Sequence, residues 1–392
     1  MSDFRRWWRL DVLGALTVVV YGTWFYGFGV LFKDLGAAHG VSAGTLGITY
    51  GAANLLAGIG TLATGRRLDT LGPGAVLGFV GPLGAALYVA SASFVGTGFL
   101  VLYACGGGLM GAAGFYSFTQ PLAVRVSAAE PARSITRLTI WGALSSPIMI
   151  PLTEALRSQF GWQVAVRVPG VLTAAAFAVC AVIAQPRVAA VTVSRSLRFA
   201  LAVAVRTPHI RRFATSAFLA GIAASTLLVY QLPTMIWAGA TAGVAAGLAS
   251  GRGLLQLAGR LRLVAAIQRW GAPRLMLTAR SLVGAAAIVV MWSGSLWVGI
   301  VYVAIAGVAI GALPALDGIV ARTVIGDENF GTVMAGVGLI ATLGGSFGPV
   351  IGGVLRDQFG TPAATMALVV AAAWLSVLVL ASLRLQRESI PD

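Results

Sequence analysis

The chain has 392 residues, of which 58% are hydrophobic and only 10% are charged, and its mean hydropathy is +0.89. A soluble domain carries about 25% charged residues, so the composition excludes an ordinary soluble enzyme or binding domain. The formal net charge is +15, carried by arginines near the ends of apolar segments, which favours a membrane protein over a nucleic-acid-binding one.

Long charge-free windows indicate membrane-spanning helices. Seven windows contain no Asp, Glu, Lys or Arg: 12–32, 35–65, 70–124, 213–251, 281–316, 329–355 and 358–383. About 20 apolar residues cross the hydrocarbon core as a helix, so several windows hold one span and the longest holds two. An outer-membrane barrel would instead show alternating segments of about ten residues.

Dividing the windows at glycine, proline and charge clusters predicts an all-α membrane protein with twelve transmembrane helices. In chain order the predicted spans are 11–33, 43–64, 73–94, 97–124, 135–157, 164–184, 211–236, 242–264, 274–293, 296–320, 329–354 and 362–384. The first span exceeds the apolar core of a signal peptide, about 7–15 residues, so we expect it to be retained.

A repeat at one fixed distance indicates that the chain is a duplication. The segment LRSQFG at 156–161 returns as LRDQFG at 355–360, and Gly72 lies 199 residues before Gly271, the same offset. We therefore predict two pseudo-symmetric six-helix bundles, residues 1–184 and 211–392. The segment 185–210 is predicted to be a cytoplasmic linker lying on the anionic inner leaflet, because it carries arginines and no acid.

The distribution of basic residues predicts the orientation. With both termini in the cytoplasm, twenty-two basic residues fall on the inner side and four on the outer side, while Arg252 falls within a span. That asymmetry follows the positive-inside rule. A single lysine among 27 basic residues suggests a GC-rich bacterial gene, so we expect a multi-pass protein of the bacterial inner membrane.

The loops after the second and eighth spans resemble the conserved loop of the major facilitator superfamily. The first loop matches that motif at Gly65, Asp69, Gly72 and Pro73, with Thr70 where the family has arginine. The second keeps Arg269, Gly271 and Arg274, with Gln268 where the family has aspartate. The resemblance covers the whole chain and implies the twelve-helix fold, alternating access and a gating role for Gly65, Asp69, Gly72, Arg269 and Gly271.

Three shorter segments are similar to the monocarboxylate and oxalate–formate branch of that superfamily. They are YGFGVLFKDL at 26–35, FGWQVAVRVPGVL at 160–172 and GRL at 259–261. The resemblance implies that Arg260 occupies the position of the branch's substrate-binding arginine. Arg252 is an additional cation that the branch pattern does not supply.

The eighth predicted span carries the residues whose insertion into a membrane costs the most free energy. Arg252, Gln256 and Arg260 follow one another at a spacing of four, so they share one helical face. An arginine at the bilayer centre costs about 2.5–3.5 kcal/mol on insertion scales, and such residues usually line a water-filled path or are paired. We predict that this face binds an anionic substrate; the alternative is that Arg252 pairs with an acid and Arg260 snorkels inward.

Other polar or aromatic groups within the spans are candidates for the same site. In the resembled family, helices 1, 4, 7 and 10 line the cavity, which favours the aromatic residues of those spans. The candidates are Tyr21, Trp24, Asn54, Tyr116 and Tyr230. For each of them, packing or a satisfied hydrogen bond is the alternative explanation.

Proton coupling requires a carboxylate within the membrane, and only two acids qualify. Asp317 lies in the inner half of the tenth span, where we expect it to pair with an arginine of the eighth span; the alternative is a static ion pair with Arg322 or with loop residues. Glu154 lies near the outer end of the fifth span, so its alternative role is that of an outer-mouth residue.

The leading hypothesis is a secondary transporter of a small, monocarboxylate-like organic anion, with proton symport, exchange and uniport all open. The alternative is proton-driven efflux of amphipathic or aromatic compounds. Cys105 and Cys180 lie in apolar stretches, and His39 and His209 are far apart, so no enzyme, metal site or cofactor is expected. The expected partners are the substrate and the lipid bilayer, together with protons if transport is by proton symport. No nucleic-acid partner is expected.

Overall fold

The computed structural model describes residues 2–70, 72–126, 130–183, 197–326 and 330–383, and these are nearly all helical. The chain forms two compact units, Met1–Thr192 and Val193–Asp392. The boundary falls inside the predicted linker, of which residues 185–196 lie outside the described ranges.

The described part of the N-terminal unit contains nine α-helices. They are α1 Ser2–Val20, α2 Gly27–His39, α3 Ala43–Thr70, α4 Gly81–Ser91, α5 Gly96–Gly114, α6 Tyr116–Val126, α7 Pro131–Ala143, α8 Ser145–Phe160 and α9 Trp162–Ile183. A short π-helical turn at Tyr21–Tyr26 connects α1 with α2, so these form one continuous helical segment. A second π-helical turn, Val76–Val80, leads directly into α4.

The C-terminal unit contains eight described helices. They are α10 Leu197–Arg206, α11 Pro208–Trp237, α12 Ala242–Leu261, α13 Leu263–Trp270, α14 Ala272–Val289, α15 Leu296–Ile325, α16 Phe330–Phe359 and α17 Ala363–Ala381. Helix α10 comes from the predicted linker and packs on α16, where the backbone of Ala200 approaches Gly336 closely.

All twelve predicted spans coincide with helices, which confirms the all-α membrane fold class. Nine helical stretches of the described residues are long and apolar enough to cross a membrane: Trp7–His39, Ala43–Gly65, Gly96–Val126, Trp162–Ile183, Pro208–Trp237, Ala272–Trp292, Leu296–Ile325, Val333–Phe359 and Ala363–Ala381. The apolar helix Val76–Ser91 is shorter. The fifth span is divided between α7 and α8 at Leu144, and the eighth carries arginines.

The turns of the two units repeat with the same offset of 199 residues. Glycines with positive φ occur in pairs at Gly40 and Gly239, at Gly72 and Gly271, and at Gly161 and Gly360. The helix starts repeat as well, since Ser42 Oγ accepts a hydrogen bond from Thr45 N and Thr241 Oγ1 accepts one from Val244 N. This offset therefore relates positions of the helices in one unit to positions in the other.

Close helix packing in the C-terminal unit depends on glycine in α16. A Cβ atom on Gly344 or Gly348 would collide with the backbone of α11, at Phe218 and Ile222 respectively. Small residues at a spacing of four let helix backbones approach closely in membranes. Gly344 and Gly348 of the eleventh predicted span therefore lie at a helix–helix contact.

Candidate functional site

A buried hydrogen-bonded cluster lies where α11, α12 and α15 pack together. Arg252 Nε donates to Gln231 Oε1 at 3.1 Å, and the Tyr302 hydroxyl donates to the same oxygen at 2.7 Å. Arg252 and Tyr302 are fully buried, and Gln231 is 1% exposed. We call these three residues the Arg252 cluster; one amide oxygen orients both the guanidinium and the phenol.

The remaining polar residues of α12 continue from this cluster along the contact with α15. Gln256 is 4% exposed, and its Nε2 has no hydrogen-bond partner within the described part of the chain. Arg260 Nε donates to the carbonyl of Gly311 at 3.2 Å. Arg260 is therefore oriented by a backbone oxygen of α15, and it is less buried than Arg252.

A second polar cluster joins α14 to α11, α15 and α17. Arg280 is 1% exposed; its Nη2 donates to Asp317 Oδ1 at 3.0 Å, and its Nη1 donates to Ser376 Oγ at 2.8 Å and to Ser216 Oγ. We call these four residues the Arg280 cluster. The prediction that Asp317 pairs with an arginine of the eighth span or with Arg322 is wrong, because Asp317 faces α14 and reaches Arg280 there.

The Arg280 cluster borders a cavity of about 270 Å³ within the C-terminal unit. Arg280 and Asp317 lie on its wall, which is otherwise formed mainly by apolar residues of α11, α15 and α16. The Asp317 side chain is 38% exposed and that of Arg280 only 1%. The carboxylate therefore faces the open space, while the guanidinium lies behind it.

The N-terminal unit builds the same packing without the Arg252 cluster. The counterpart of Arg252 is Ala53, which is fully buried, and the counterpart of Gln231 is Phe32, which is 6% exposed. Only the tyrosine is retained, as Tyr103. Packing of this kind consequently does not require the arginine and the amide.

The Arg280 cluster is replaced by apolar contacts as well. The counterpart of Arg280 is Gly81, and a Cβ atom on Gly81 would collide with the ring of Phe177, which is the counterpart of Ser376. Asp317 corresponds to Phe118, which is 1% exposed. The charged and polar groups of the Arg280 cluster thus occupy positions at which the N-terminal unit has glycine or phenylalanine.

Trp24 lies in the aromatic core of the N-terminal unit. It is fully buried, with ring centroids 5.6 Å from Tyr50 and 5.1 Å from Tyr103, and its indole fills the space beside Gly107. Because this environment is a packed interior, Trp24 does not belong to the site that we propose below.

Three other predicted residues of the N-terminal unit are half-buried. The Tyr21 ring stacks on Phe115 with centroids 4.4 Å apart, and its hydroxyl accepts a hydrogen bond from the backbone N–H of Tyr116. Tyr116 lies 5.1 Å from Tyr21 between ring centroids, and Asn54 lies on α3. In the C-terminal unit, Tyr230 is fully buried and donates to the carbonyl of Pro349 at 2.8 Å.

Glu154 belongs to an ion-pair network. Arg157 binds Glu154 at 2.8 Å and Asp34 at 3.1 Å, which joins α8 to α2. Glu154 is therefore held by a cation in its own unit. Within the described ranges, no group of three or more His, Cys, Asp or Glu residues is arranged to hold a metal ion.

One glycine in each predicted gating loop adopts the same left-handed backbone conformation. Gly72 and Gly271 have φ values of 80° and 81°, a left-handed conformation that favours glycine. Gly65 lies within α3 and Arg269 is exposed at the end of α13. The side chain of Asp69 lies outside the described part of the chain.

Sequence reasoning missed Arg280 and Tyr302. Arg280 lies six residues inside the predicted ninth span, although the orientation argument counts it among the twenty-two basic residues of the inner side. Its position within an apolar helix was a usable signal. Tyr302 carried no charge to mark it, and only its contact with Gln231 reveals its place.

Solved structures of membrane transporters share this fold over nearly the whole chain. A variant of the nucleoside transporter NupG is 12% identical with a TM-score of 0.76, covering 96% of this chain and 98% of that chain. A bacterial homologue of the human lysosomal transporter Spinster, in an inward-facing and unoccupied conformation, is 13% identical with a TM-score of 0.74, covering 99% of both chains. NupG itself is 14% identical with a TM-score of 0.73, covering 96% of this chain and 97% of that chain.

No protein-family model matches the chain, and no curated protein matches it by sequence. The structural similarity therefore defines the fold alone, which the chain shares with these transporters over nearly its whole length. The chain is a multi-pass membrane protein with this architecture. The similarity to the monocarboxylate branch stays a prediction.

Proposed function

We propose that this protein is a secondary transporter that moves a small organic anion across the bacterial inner membrane by alternating access. The observation that carries the proposal is the asymmetry between the two repeats. Buried Arg252 and Arg280 stand where the N-terminal unit has Ala53 and Gly81. Intramembrane charges are expensive and are usually functional, and here the architecture does not require them.

In this proposal the Arg252 cluster recognises the negative charge. A guanidinium binds a carboxylate through two parallel hydrogen bonds, and Gln231 already orients the Arg252 head through Nε. Gln256 supplies an amide on the same helix, with Arg260 one turn further on.

Asp317 is the proposed proton-coupling residue, because its carboxylate faces a cavity and is bonded to Arg280. Protonation of Asp317 would weaken this bond, and a substrate anion would then compete for Arg280. A ligand shifts a conformational equilibrium only through its differential affinity for the two states. Rearrangement of the Arg280–Asp317 pair is our proposed source of that difference, with Glu154 retained as a second candidate carboxylate.

Transport assays with two variants test the proposal. A thermal-shift panel of monocarboxylates, dicarboxylates and aromatic acids first identifies a stabilising anion, and uptake of that labelled anion into proteoliposomes follows. Nucleosides belong in the panel because of the structural similarity to NupG. We expect Arg252→Ala and Arg260→Ala to reduce uptake at least about tenfold, the effect of losing one charge-assisted contact.

The exposed Arg211 of α11 provides a matched control, since Arg211→Ala removes the same charge outside the Arg252 cluster and outside the predicted gating loops. Near-normal uptake by both test variants would refute the proposal. The double variant Arg252→Ala with Gln231→Phe installs the N-terminal counterparts, so we expect a folded protein that does not transport.

Efflux of amphipathic compounds is the second candidate, favoured by an apolar cavity of about 600 Å³ in the C-terminal unit. Its wall includes Leu261, Trp270, Leu282 and Val308 from α12 to α15. This function predicts that amphipathic compounds, and not simple carboxylates, stabilise the protein in the thermal-shift panel. Stabilisation by carboxylates alone would exclude it.

A further inference from the structure

The duplicated hexapeptides place an arginine at the predicted outer end of each unit. In the N-terminal unit, Arg157 is held by two carboxylates: Glu154 on the same helix at 2.8 Å and Asp34 of α2 at 3.1 Å. These contacts satisfy the guanidinium and tie α8 to α2.

The C-terminal unit keeps the arginine and lacks both acids. The counterpart of Arg157 is Arg356, whereas Glu154 corresponds to Gly353 and Asp34 to Pro233. The register is fixed on both sides, because the positive-φ glycines Gly161 and Gly360 end the hexapeptides, and Gly40 and Gly239 end the helices that carry Asp34 and Pro233. The duplication therefore left Arg356 without the partners of its counterpart.

The surroundings of Arg356 leave donor capacity unused. Its Nη1 is buried and has no hydrogen-bond partner among the residues that the structure describes. Tyr230 and Asp357 are both close enough to interact with Arg356 electrostatically, but the Tyr230 hydroxyl donates to the carbonyl of Pro349. Asp357 is the adjacent acid, and it is exposed to solvent. A buried donor without a partner is costly, so an external acceptor would be favoured here.

We propose that Arg356 is an oxyanion-binding subsite at the predicted outer end of the C-terminal unit, next to Tyr230. A carboxylate or a phosphate would supply the oxygens that Glu154 and Asp34 supply to Arg157. Two sources share this chemistry: the carboxylate of a soluble anion, which rests on the proposed function, and the phosphate of an anionic lipid headgroup. In both cases the planar guanidinium provides the recognition.

Binding measurements on the purified full chain separate the two sources. One arm titrates delipidated protein in neutral detergent with sodium benzoate and sodium oxalate, at constant ionic strength with chloride as the balancing anion. The other arm compares nanodiscs of phosphatidylcholine alone with nanodiscs that contain phosphatidylglycerol. Thermal stability is the readout in both arms. In the arm that reports binding, Arg356→Gln should weaken the apparent affinity about tenfold.

The matched control is Arg167→Gln, which removes an exposed arginine from the same predicted side. Its binding should equal that of the wild type. If Arg356→Gln expresses poorly, Arg356→Lys keeps the charge and loses the planar fork, so an intermediate affinity is expected.

Equal affinity of Arg356→Gln and the wild type in both arms would overturn the inference, as would a wild type that responds to neither probe. The proposed function is judged separately, by uptake through Arg252→Ala. Loss of uptake in that variant, together with unchanged binding by Arg356→Gln, would remove the Arg356 subsite and leave the transporter proposal intact.

Discussion

Arg280 and Asp317 form a charge pair whose members differ in exposure. The guanidinium is enclosed by α11, α14 and α17, whereas the carboxylate borders a cavity. Removing the carboxylate leaves a buried cation, but removing the guanidinium leaves an acid that water from the cavity can solvate. The two single substitutions should therefore have unequal costs.

We expect Asp317→Asn to lower the stability by about 1–2 kcal/mol, a value reduced by solvent screening at the half-exposed carboxylate. Arg280→Gln should cost less, and the double variant should recover part of the loss caused by Asp317→Asn. Thermal unfolding of the purified proteins measures all three. An additive double variant would show that the two side chains do not interact.

Substitution of Trp24 tests whether this residue belongs to the packed core of the N-terminal unit. Because the ring is enclosed by other aromatic rings, Trp24→Ala should destabilise the protein by about 3–5 kcal/mol. Trp297, which is 78% exposed, provides the control, and its replacement by alanine should change the stability by about 0.5 kcal/mol or less. Equal effects of the two substitutions in a thermal unfolding assay would contradict the core assignment.

The sequence was sufficient to place Arg252 and Asp317 within the membrane, since each is a charge in an apolar helix. It was not sufficient to find their partners. Arg252 contacts Gln231 21 positions earlier in the chain, and Asp317 contacts Arg280 37 positions earlier. Partners on different helices depend on helix rotation and tilt, which periodicity within one helix does not determine.

At the scale of helices, the contact between α11 and α16 depends on glycine at one site and tolerates a side chain at another. A Cβ atom on Gly348 would lie 2.7 Å from the carbonyl of Ile222, whereas one on Gly338 of the same helix would meet nothing within 4 Å. Backbone atoms cannot move aside as a flexible side chain can.

Gly348→Ala should accordingly lower the thermal stability, by about 1–3 kcal/mol. Gly338→Ala is the matched control, and it should stabilise the helix by up to about 1 kcal/mol because alanine restricts the unfolded chain. A thermal unfolding series of the two variants measures the difference. Similar effects in both would mean that α11 and α16 do not rely on close approach at Gly348.

Helix existence was predictable from apolar stretches with few charges, but helix continuity was not. The predicted fifth span is two helices, α7 and α8, which meet at Leu144. Pro151 in α8 and the π-helical turn at Tyr21–Tyr26 are further local departures from regular geometry. Hydropathy reports only whether a segment prefers lipid, and it is insensitive to such breaks.

At the scale of the whole chain, the arginine asymmetry predicts which ends of the helices face the cytoplasm. Ala38 precedes the start of α3, and Arg67 lies near its end, so the two residues mark opposite ends of this helix. Both residues are exposed. After replacement of Cys105 and Cys180, Ala38→Cys should react with a membrane-impermeant maleimide in intact cells. Arg67→Cys should react only after permeabilisation.

Labelling of Arg67→Cys in intact cells, with protection of Ala38→Cys, would show the opposite orientation. The outer location proposed for Arg356 would then fail as well, because that location depends on the same asymmetry. The binding chemistry at Arg356 does not depend on orientation, and the thermal-shift arms would still test it.

The paired positive-φ glycines also limit where insertions and deletions can occur in the sequence. Between Gly40 and Gly72, as between Gly239 and Gly271, no residue has been gained or lost relative to the other copy. One extra residue within α12 would rotate every later side chain of that helix by about 100° and would turn Arg260 away from α15. This architecture therefore tolerates substitutions within its helices, whereas insertions and deletions must fall in the segments between the helices.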